Sequence, residues 1–478
     1  MRIAILCHLH HPIAEPYQGG TESHTALLAD ELVRRGHEVT LFAKEGSQTA
    51  AVVHPLVPGD FEFVYAASPL VRRQQHGFLA EASLHSIELI EQGDWDAVIN
   101  NSLSSLPYGR LRDRPMMTVL HTPPTLADVN RILDAPGWQA PALHSYVTVS
   151  ETNARAWAPR LPQVMTVPNG IPLARWDVDG AHEAHVAVWA ARITPEKGLH
   201  IAIPAAREAG FRLRIAGPVA DPRYFAEEIE PLLGDGVEYV GHLDHAALPA
   251  FYAAAAVAIA SPVWEEPFGL SVVEALAAGT PVATLPHGAV PELVSEATGR
   301  RPGPAAGAVA DDDSATSLAE AIRRAALIAP AVARERASQY SLERMIDSYE
   351  DELLRLVASA EAVAEAVTVA ANRPGVEIEA GVGEADARRE GTRHAGDAPV
   401  LVDAVGGGER RLAAVGLGEG GGVPGGLLRR RRRAEQALVE GHREQRPTLA
   451  DLLQNKHRAR EEDLVGDVHP AQPRGELV

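Results

Sequence analysis

Glu266-Pro-Phe-Gly-Leu-Ser-Val-Val-Glu274 is the stretch whose reading decides the fold. An apolar run at 257–260 precedes it and reads as a buried strand, and a loop at 261–266 follows. From about residue 270 to 278 the apolar side chains recur at helical spacing, and Gly279 with Thr280-Pro281 ends the pattern. The helix start offers unpaired backbone N–H groups and the positive end of a dipole to an anion. Glu266 stands just before that start. Glu274 lies about one turn inside, among Val272, Val273, Ala275, Leu276 and Ala277, where an unpaired carboxylate is expensive. Phosphate at the helix end and hydroxyls at the two carboxylates would satisfy the arrangement, and a sugar nucleotide carries both. The competing reading is two solvated glutamates beside a surface helix.

Outward from this stretch the same alternation repeats. In the first half, 3–6 and 39–43 read as strands around a helix over 21–35 that Gly36 closes. Short apolar runs follow at 97–99, 117–120 and 146–149, and a last strand near 164 ends in Pro168-Asn-Gly170. A polar connector at 177–185 leads to strands at 186–189, 213–216 and 237–240. Helical patterns occupy 316–328 and 342–357, the latter with Ile346, Tyr349, Leu353 and Leu356 on one face. Such alternation predicts an α/β protein: mostly parallel sheets covered on both faces, in two similar domains with ligand sites at the carboxyl ends of the strands.

The E-x7-E stretch resembles that of the retaining glycosyltransferases in the large family that includes sucrose synthase, glycogen synthase and bacterial mannosyl- and glucosyltransferases (glycosyltransferase family 4, glycosyl transferases group 1). The resemblance covers about residues 1–358. It implies the GT-B arrangement, two Rossmann-like domains facing across a cleft. The expected division is an acceptor-side domain at 1–172, a nucleotide-sugar domain at 173–340, a helix at 341–358 crossing back to the first domain, and a tail at 359–478.

Other segments add to the resemblance. Arg192 and Lys197, in Ala191-Arg-Ile-Thr-Pro-Glu-Lys-Gly198, follow a strand directly. Two cations at a strand's carboxyl end can neutralise a departing diphosphate. The family has a similar R-x4-K pair, usually with glycine where this chain has Ala191. Gly19-Gly20 lies between the first strand and first helix, where glycines let backbone N–H groups approach phosphate. The resemblance places that loop near the donor diphosphate and the acceptor. It also places His121, in His121-Thr-Pro-Pro124, on the transferred sugar, and Gly217 near the nucleotide. Glu266 is then expected on donor-sugar hydroxyls, Glu274 on ribose hydroxyls, and Phe268, Gly269 and Leu270 at the phosphate-binding helix end. Asn100 and Asn101 are candidate acceptor contacts. In Gly288-Ala-Val-Pro-Glu292 the turn lies near the donor sugar in relatives, and Glu292 reads as a helix start.

Composition narrows the rest. A net charge of −20 argues against nucleic acid as partner. The one cysteine, Cys7, permits no intrachain disulfide and fits a cytoplasmic setting. No run of about 18 apolar residues predicts a membrane span, leaving peripheral contact at most. Histidines at positions 8, 10 and 11 come too soon for a signal peptide. Asp94-Trp-Asp96 and Asp311-Asp-Asp313 imitate metal motifs, but read as a turn and a helix cap. Gly416-Leu-Gly-Glu-Gly-Gly421 lacks the helix that a dinucleotide loop needs, and the arginine run at 429–433 reads as a solvated charge cluster. Residues 350–478 contain no Phe, Trp, Tyr or Cys, so most of the tail reads as disordered, with a helix over about 430–455. Its composition resembles a GC-rich gene read in a shifted frame. Intact mass of the native protein tests that expectation.

The activity implied is transfer of a sugar from a UDP-, GDP- or ADP-sugar to a carbohydrate, lipid or small-molecule hydroxyl, with retention and without metal or cofactor. The alternatives are a sugar-nucleotide epimerase and a non-catalytic sugar-nucleotide sensor.

Overall fold

The computed structural model describes residues 1–64, 68–178, 180, 182–295, 304–371, 399–406 and 409–416. Runs of Val, Ile, Leu and Ala in the strands are buried on both faces, which is what parallel sheets covered by helices require. The first sheet contains β1 (Arg2–Cys7), β2 (Glu38–Lys44), β3 (Val52–Val57), β4 (Ala97–Asn101), β5 (Met116–Leu120), β6 (His144–Thr148) and β7 (Val164–Thr166). Its order is β3-β2-β1-β4-β5-β6-β7. The second contains β8 (Glu183–Ala190), β9 (Arg212–Ala216), β10 (Val237–Tyr239), β11 (Ala255–Ala260), β12 (Val282–Thr284) and β13 (Gly307–Val309), in the order β10-β9-β8-β11-β12-β13. All these pairs are parallel.

Each sheet therefore reverses its winding once, between β1 and β4 and between β8 and β11. Crevices for ligands open at such switch points, outside the carboxyl ends of the strands. The register pairs Ile5 with Ile99 in one sheet and Val188 with Ala258 in the other. Both switch points end in loops that carry sequence motifs: Gly19-Gly20 after β1, Arg192 to Lys197 after β8, and 261–266 after β11.

The chain passes from the first domain to the second near Ile171 and returns near Ser341. These two passes lie side by side in a parallel bridge, with Ile171 N–H donating to Tyr340 O at 3.0 Å and Leu342 N–H to Ile171 O at 2.9 Å. The closing helix, Leu342–Ala371, packs on the first helix, Gly20–Arg34, and on β4, β5 and β6. Ile346, Tyr349, Leu353 and Leu356 are each 0% exposed on that face. Burying four such side chains at roughly 1.5–3 kcal/mol each outweighs any surface pairing on this helix.

Several boundaries differ from the sequence expectation. The closing helix runs past residue 358 to Ala371, because its continuation is rich in Ala and Glu and meets neither Gly nor Pro. The tail also includes two paired strands, Pro399–Gly406 and Glu409–Gly416, where the composition predicted disorder. The expected helix over 430–455 and the arginine run lie outside the described residues. β8 begins at Glu183, within the stretch read as a connector. The edge strand β3 escapes the apolar pattern because it carries Pro55 and is half exposed. Among the described residues no helix is long and apolar enough to cross a membrane.

Candidate functional site

A cavity of about 320 Å³ opens between the switch points of the two sheets, within the usual range for small-ligand sites. Gly19, Gly20 and His121 line it from the first domain. Arg192, Lys197, Gly217 and Glu266 line it from the second, as do Phe268, Gly269, Leu270 and Glu274. Each follows the carboxyl end of a strand or lies in the first turns of the helix after it, which is why residues distant in sequence meet here.

The helix Leu270–Ala277 supplies the floor. Its N-cap, Gly269, has φ +101°, a left-handed conformation that side chains rarely adopt, and a Cβ there would stand 3.2 Å from Val290 Cγ2. No side chain caps this helix, so its first N–H groups are left for a ligand, with Leu270 and Ser271 on the cavity wall. Phe268 is 4% exposed and packs edge-on to Tyr340 at 5.9 Å. Glu274 is 8% exposed, and His245 Nε2 approaches its Oε1 at 3.7 Å. Burial pushes the Tyr252 hydroxyl far above its ordinary pKa, and the neighbouring Glu274 charge adds to it.

Lys197 ends the short turn Pro195–Lys197, and its ammonium pairs with Glu266 Oε2. The Trp264 indole N–H donates to the same oxygen at 2.9 Å. Arg192 has no carboxylate partner among the described residues, so it contributes an uncompensated positive charge to the cavity wall. The loops carrying these residues are laced together. Val263 N–H donates to Glu196 O at 2.9 Å, and the Ser261 hydroxyl reaches Lys197 O and Gly198 O, each at 3.0 Å. Ser261 in turn accepts from the buried Trp189 indole at 3.1 Å, so the second domain's core fixes the loop.

The first domain supplies a different wall. His121 meets Asn101 Oδ1 through Nε2 at 3.2 Å and lies 4.7 Å, ring to ring, from His24. Burial, with His24 and His8 nearby, holds His121 well below the ordinary histidine pKa, so it is neutral at pH 7. With Oδ1 as the acceptor, His121 carries its proton on Nε2. Asn100 and Asn101 are both 0% exposed and do not line the cavity, which corrects their reading as acceptor contacts. They are framework groups: Asn100 donates to Thr118 Oγ1 at 3.3 Å, and Asn101 donates to Thr25 Oγ1 at 3.2 Å.

At Gly20 the two domains nearly touch, since a Cβ there would lie 2.9 Å from Leu270 Cδ1. Beside Gly19 sits the buried Glu22 carboxylate, 3.3 Å from His8 Nε2. Burial alone would raise the Glu22 pKa. The hydrogen bond and charge of His8, with Glu22's own N–H, instead bring it from 4.5 to about 2. The first helix start thus holds a buried carboxylate paired with His8, whereas the start after Gly269 has no acidic residue in its first turn.

Glu292 lies in the first turn of Val290–Val294, as its sequence position suggests, but its side chain does more. The carboxylate reaches the first domain, accepting from Thr152 N–H at 2.6 Å, Glu151 N–H at 3.2 Å and the Thr152 hydroxyl. One residue before that helix, Ala289 N–H donates to Glu266 O at 2.8 Å. Trp264 and His245 line the cavity and are the site residues that sequence reasoning missed, whereas Glu292, read as a helix start, does not line it. The acidic decoys are occupied elsewhere: Asp94 and Asp96 bind Arg2, Asp312 accepts from Ser314, and Asp313 pairs with His287.

Two family models match the chain in succession. The family model described as Glycosyltransferase Family 4 matches residues 18–175, and the one described as Glycosyl transferases group 1 matches residues 174–344. The D-inositol 3-phosphate glycosyltransferase of Mycolicibacterium smegmatis is 27% identical over 395 residues, covering 73% of this chain and 89% of that protein. Glycogen synthase of Mycobacterium tuberculosis is 25% identical over 319 residues, covering 58% of this chain and 76% of that protein. Among solved structures, sucrose-phosphate synthase from Thermosynechococcus elongatus aligns with a TM-score of 0.55 at 20% identity, over 76% of this chain and 98% of that one. HepE from Anabaena, crystallised with UDP and glucose, aligns with a TM-score of 0.54 at 18% identity, over 74% of this chain and 100% of that one.

Proposed function

Because the chain belongs to glycosyltransferase family 4 and is a glycosyltransferase, we propose that it moves a sugar from a nucleoside diphosphate sugar to an acceptor hydroxyl, with retention of configuration and without a metal or cofactor. One observation carries this reading: an uncapped helix start and the cations Arg192 and Lys197 line one cavity. Charge that develops on a leaving diphosphate would be met by fixed donors in a partly enclosed site, where such donors are most effective.

In this reading Lys197 turns from Glu266 to phosphate as the donor binds, and Glu266 then faces sugar hydroxyls. Glu274 holds the ribose, oriented by His245. Neutral His121 leaves Nδ1 as an acceptor for a hydroxyl of the transferred sugar. No covalent nucleophile is assigned, because this reading gives Glu266 to the sugar hydroxyls and Glu274 to the ribose. Attack would come from the face of the departing phosphate, whose oxygen accepts the acceptor's proton. Closure of the domains excludes water that would hydrolyse the donor. The acceptor is a carbohydrate, lipid or small molecule rather than nucleic acid. The lone buried thiol, Cys7, suits a cytoplasmic setting.

A donor panel of UDP-, GDP- and ADP-sugars, with and without candidate acceptors and in the presence of a chelator, tests the reading. The expected result is acceptor-dependent release of one nucleoside diphosphate, with an anomeric configuration in the product that matches the donor. Inverted product, or turnover abolished by the chelator, would refute the corresponding part.

A further inference from the structure

We propose that Trp264 is a positioning residue for the donor sugar: its indole N–H holds one oxygen of Glu266 throughout the cycle, so that the other oxygen alone meets a sugar hydroxyl. The proposal rests on the reading of the cavity as a sugar-nucleotide site.

Among the described residues Glu266 Oε2 has two partners, the Lys197 ammonium and the Trp264 indole N–H at 2.9 Å. The two differ in what a diphosphate does to them. Lys197 is a mobile point charge that phosphate attracts. The indole N–H is a neutral donor on a rigid ring and can only donate. When phosphate draws Lys197 away, Trp264 is the remaining donor that fixes the rotation of the carboxylate.

The local backbone supports this role. Glu266 N–H donates to Trp264 O at 2.8 Å, which folds the segment so that indole and carboxylate lie on the same side. The adjacent residue, Val263, is tied to Glu196 O, placing the indole beside the Lys197 loop. The ring centroid is 5.3 Å from Lys197 Nζ, so the same side chain also faces the cation before the donor binds. Trp264, Lys197 and Glu266 all line the cavity, and the Lys197 and Glu266 side chains are only 17% and 15% exposed. In such surroundings a lost hydrogen bond to a charged oxygen is not replaced freely by water.

The test begins with the donor that the wild-type protein turns over. Trp264→Phe removes the N–H and keeps a ring. Benzothienylalanine at position 264 removes the N–H with almost no change of shape, and serves if the Phe variant does not fold. Three quantities are compared: kcat with the full donor, kcat with deoxy donors lacking single hydroxyls, and calorimetric affinity for the free nucleoside diphosphate. The expected result is a loss of roughly 10- to 100-fold in kcat with the full donor. Affinity for the diphosphate should stay within about twofold, because its partners are untouched. For the deoxy donor lacking the hydroxyl that Glu266 meets, wild type and variant should converge. Unchanged kcat with unchanged hydroxyl discrimination overturns the proposal, as does an equal loss of diphosphate affinity. A wild-type protein that turns over no sugar nucleotide instead removes the reading beneath it, and this inference with it.

Discussion

Two helices begin at the cavity, each after a glycine and each at or beside a switch point, yet their starts are opposite in character. The first, Gly20–Arg34, carries the buried acidic residue Glu22 in its first turn, paired with His8, although no side chain caps it. The second, Leu270–Ala277, has no acidic residue in its first turn and no side-chain cap. The backbone of both offers N–H groups at the cavity, and only the first has an acidic side chain beside them. Position at a strand end therefore brings both starts to the cavity, and the charge beside each is what separates them.

The largest expected effect comes from removing the cations that complement the second start. Lys197→Ala should lower kcat by roughly 100-fold or more, the scale for deleting one donor to a developing charge. Steady-state assays with the active donor check this, and wild-type turnover would dismantle the contrast. The first start is probed by acid. Folding lowers the Glu22 pKa to about 2, so its contribution to stability is present above the usual carboxylate range and is lost as pH falls toward about 2. A shift of this size corresponds to about 3 kcal/mol. Glu22→Gln should therefore be less stable than wild type near pH 6, with the difference shrinking toward pH 2. Urea midpoints measured across that range decide it, and a pH-independent gap would mean that the charge is not the cause.

Smaller effects sharpen the comparison at the caps. Gly269 sits at φ +101° whereas Gly19 is extended at −169°. Gly269→Ala should cost about 1–3 kcal/mol in strain, and Gly19→Ala distinctly less. Thermal unfolding of the two variants side by side is the check, and equal losses would contradict the conformational argument. The smallest effect is expected at the link between domains. Glu292→Ala removes the acceptor for Thr152 and Glu151, costing about 1–2 kcal/mol, and should reduce transfer several-fold. Calorimetry should find diphosphate affinity almost unchanged, because the diphosphate's proposed partners belong to the second domain. A matching loss of affinity would show that Glu292 acts on the donor site itself.

Much of the fold was legible because its strands are continuous apolar runs punctuated by glycine, as in Val257 to Ala260 before the E-x7-E stretch. The gathering of Gly20, His121, Arg192, Lys197, Glu266 and Glu274 around one cavity follows from strand-end position, which a sequence displays. What stayed hidden is contact between side chains brought together only by folding. Nothing in the order of residues says that His245 approaches Glu274, or that Glu292 reaches Thr152 in the other domain. Trp264 was closer to hand, two residues before Glu266, but an aromatic in a loop carries no spacing signal. At the closing helix, composition misled. The lack of aromatics suggested an end near residue 358, whereas alanine and glutamate sustained the helix to Ala371.

The paired passes at Ile171 and Ser341 have a mechanical consequence. If the donor closes the two domains, two passes pinned together would act like the hinged edge of a door, resisting twisting and sliding more than swinging. A cross-link between positions 171 and 341 should then leave opening intact, whereas one placed over the mouth, between 20 and 270, should abolish it.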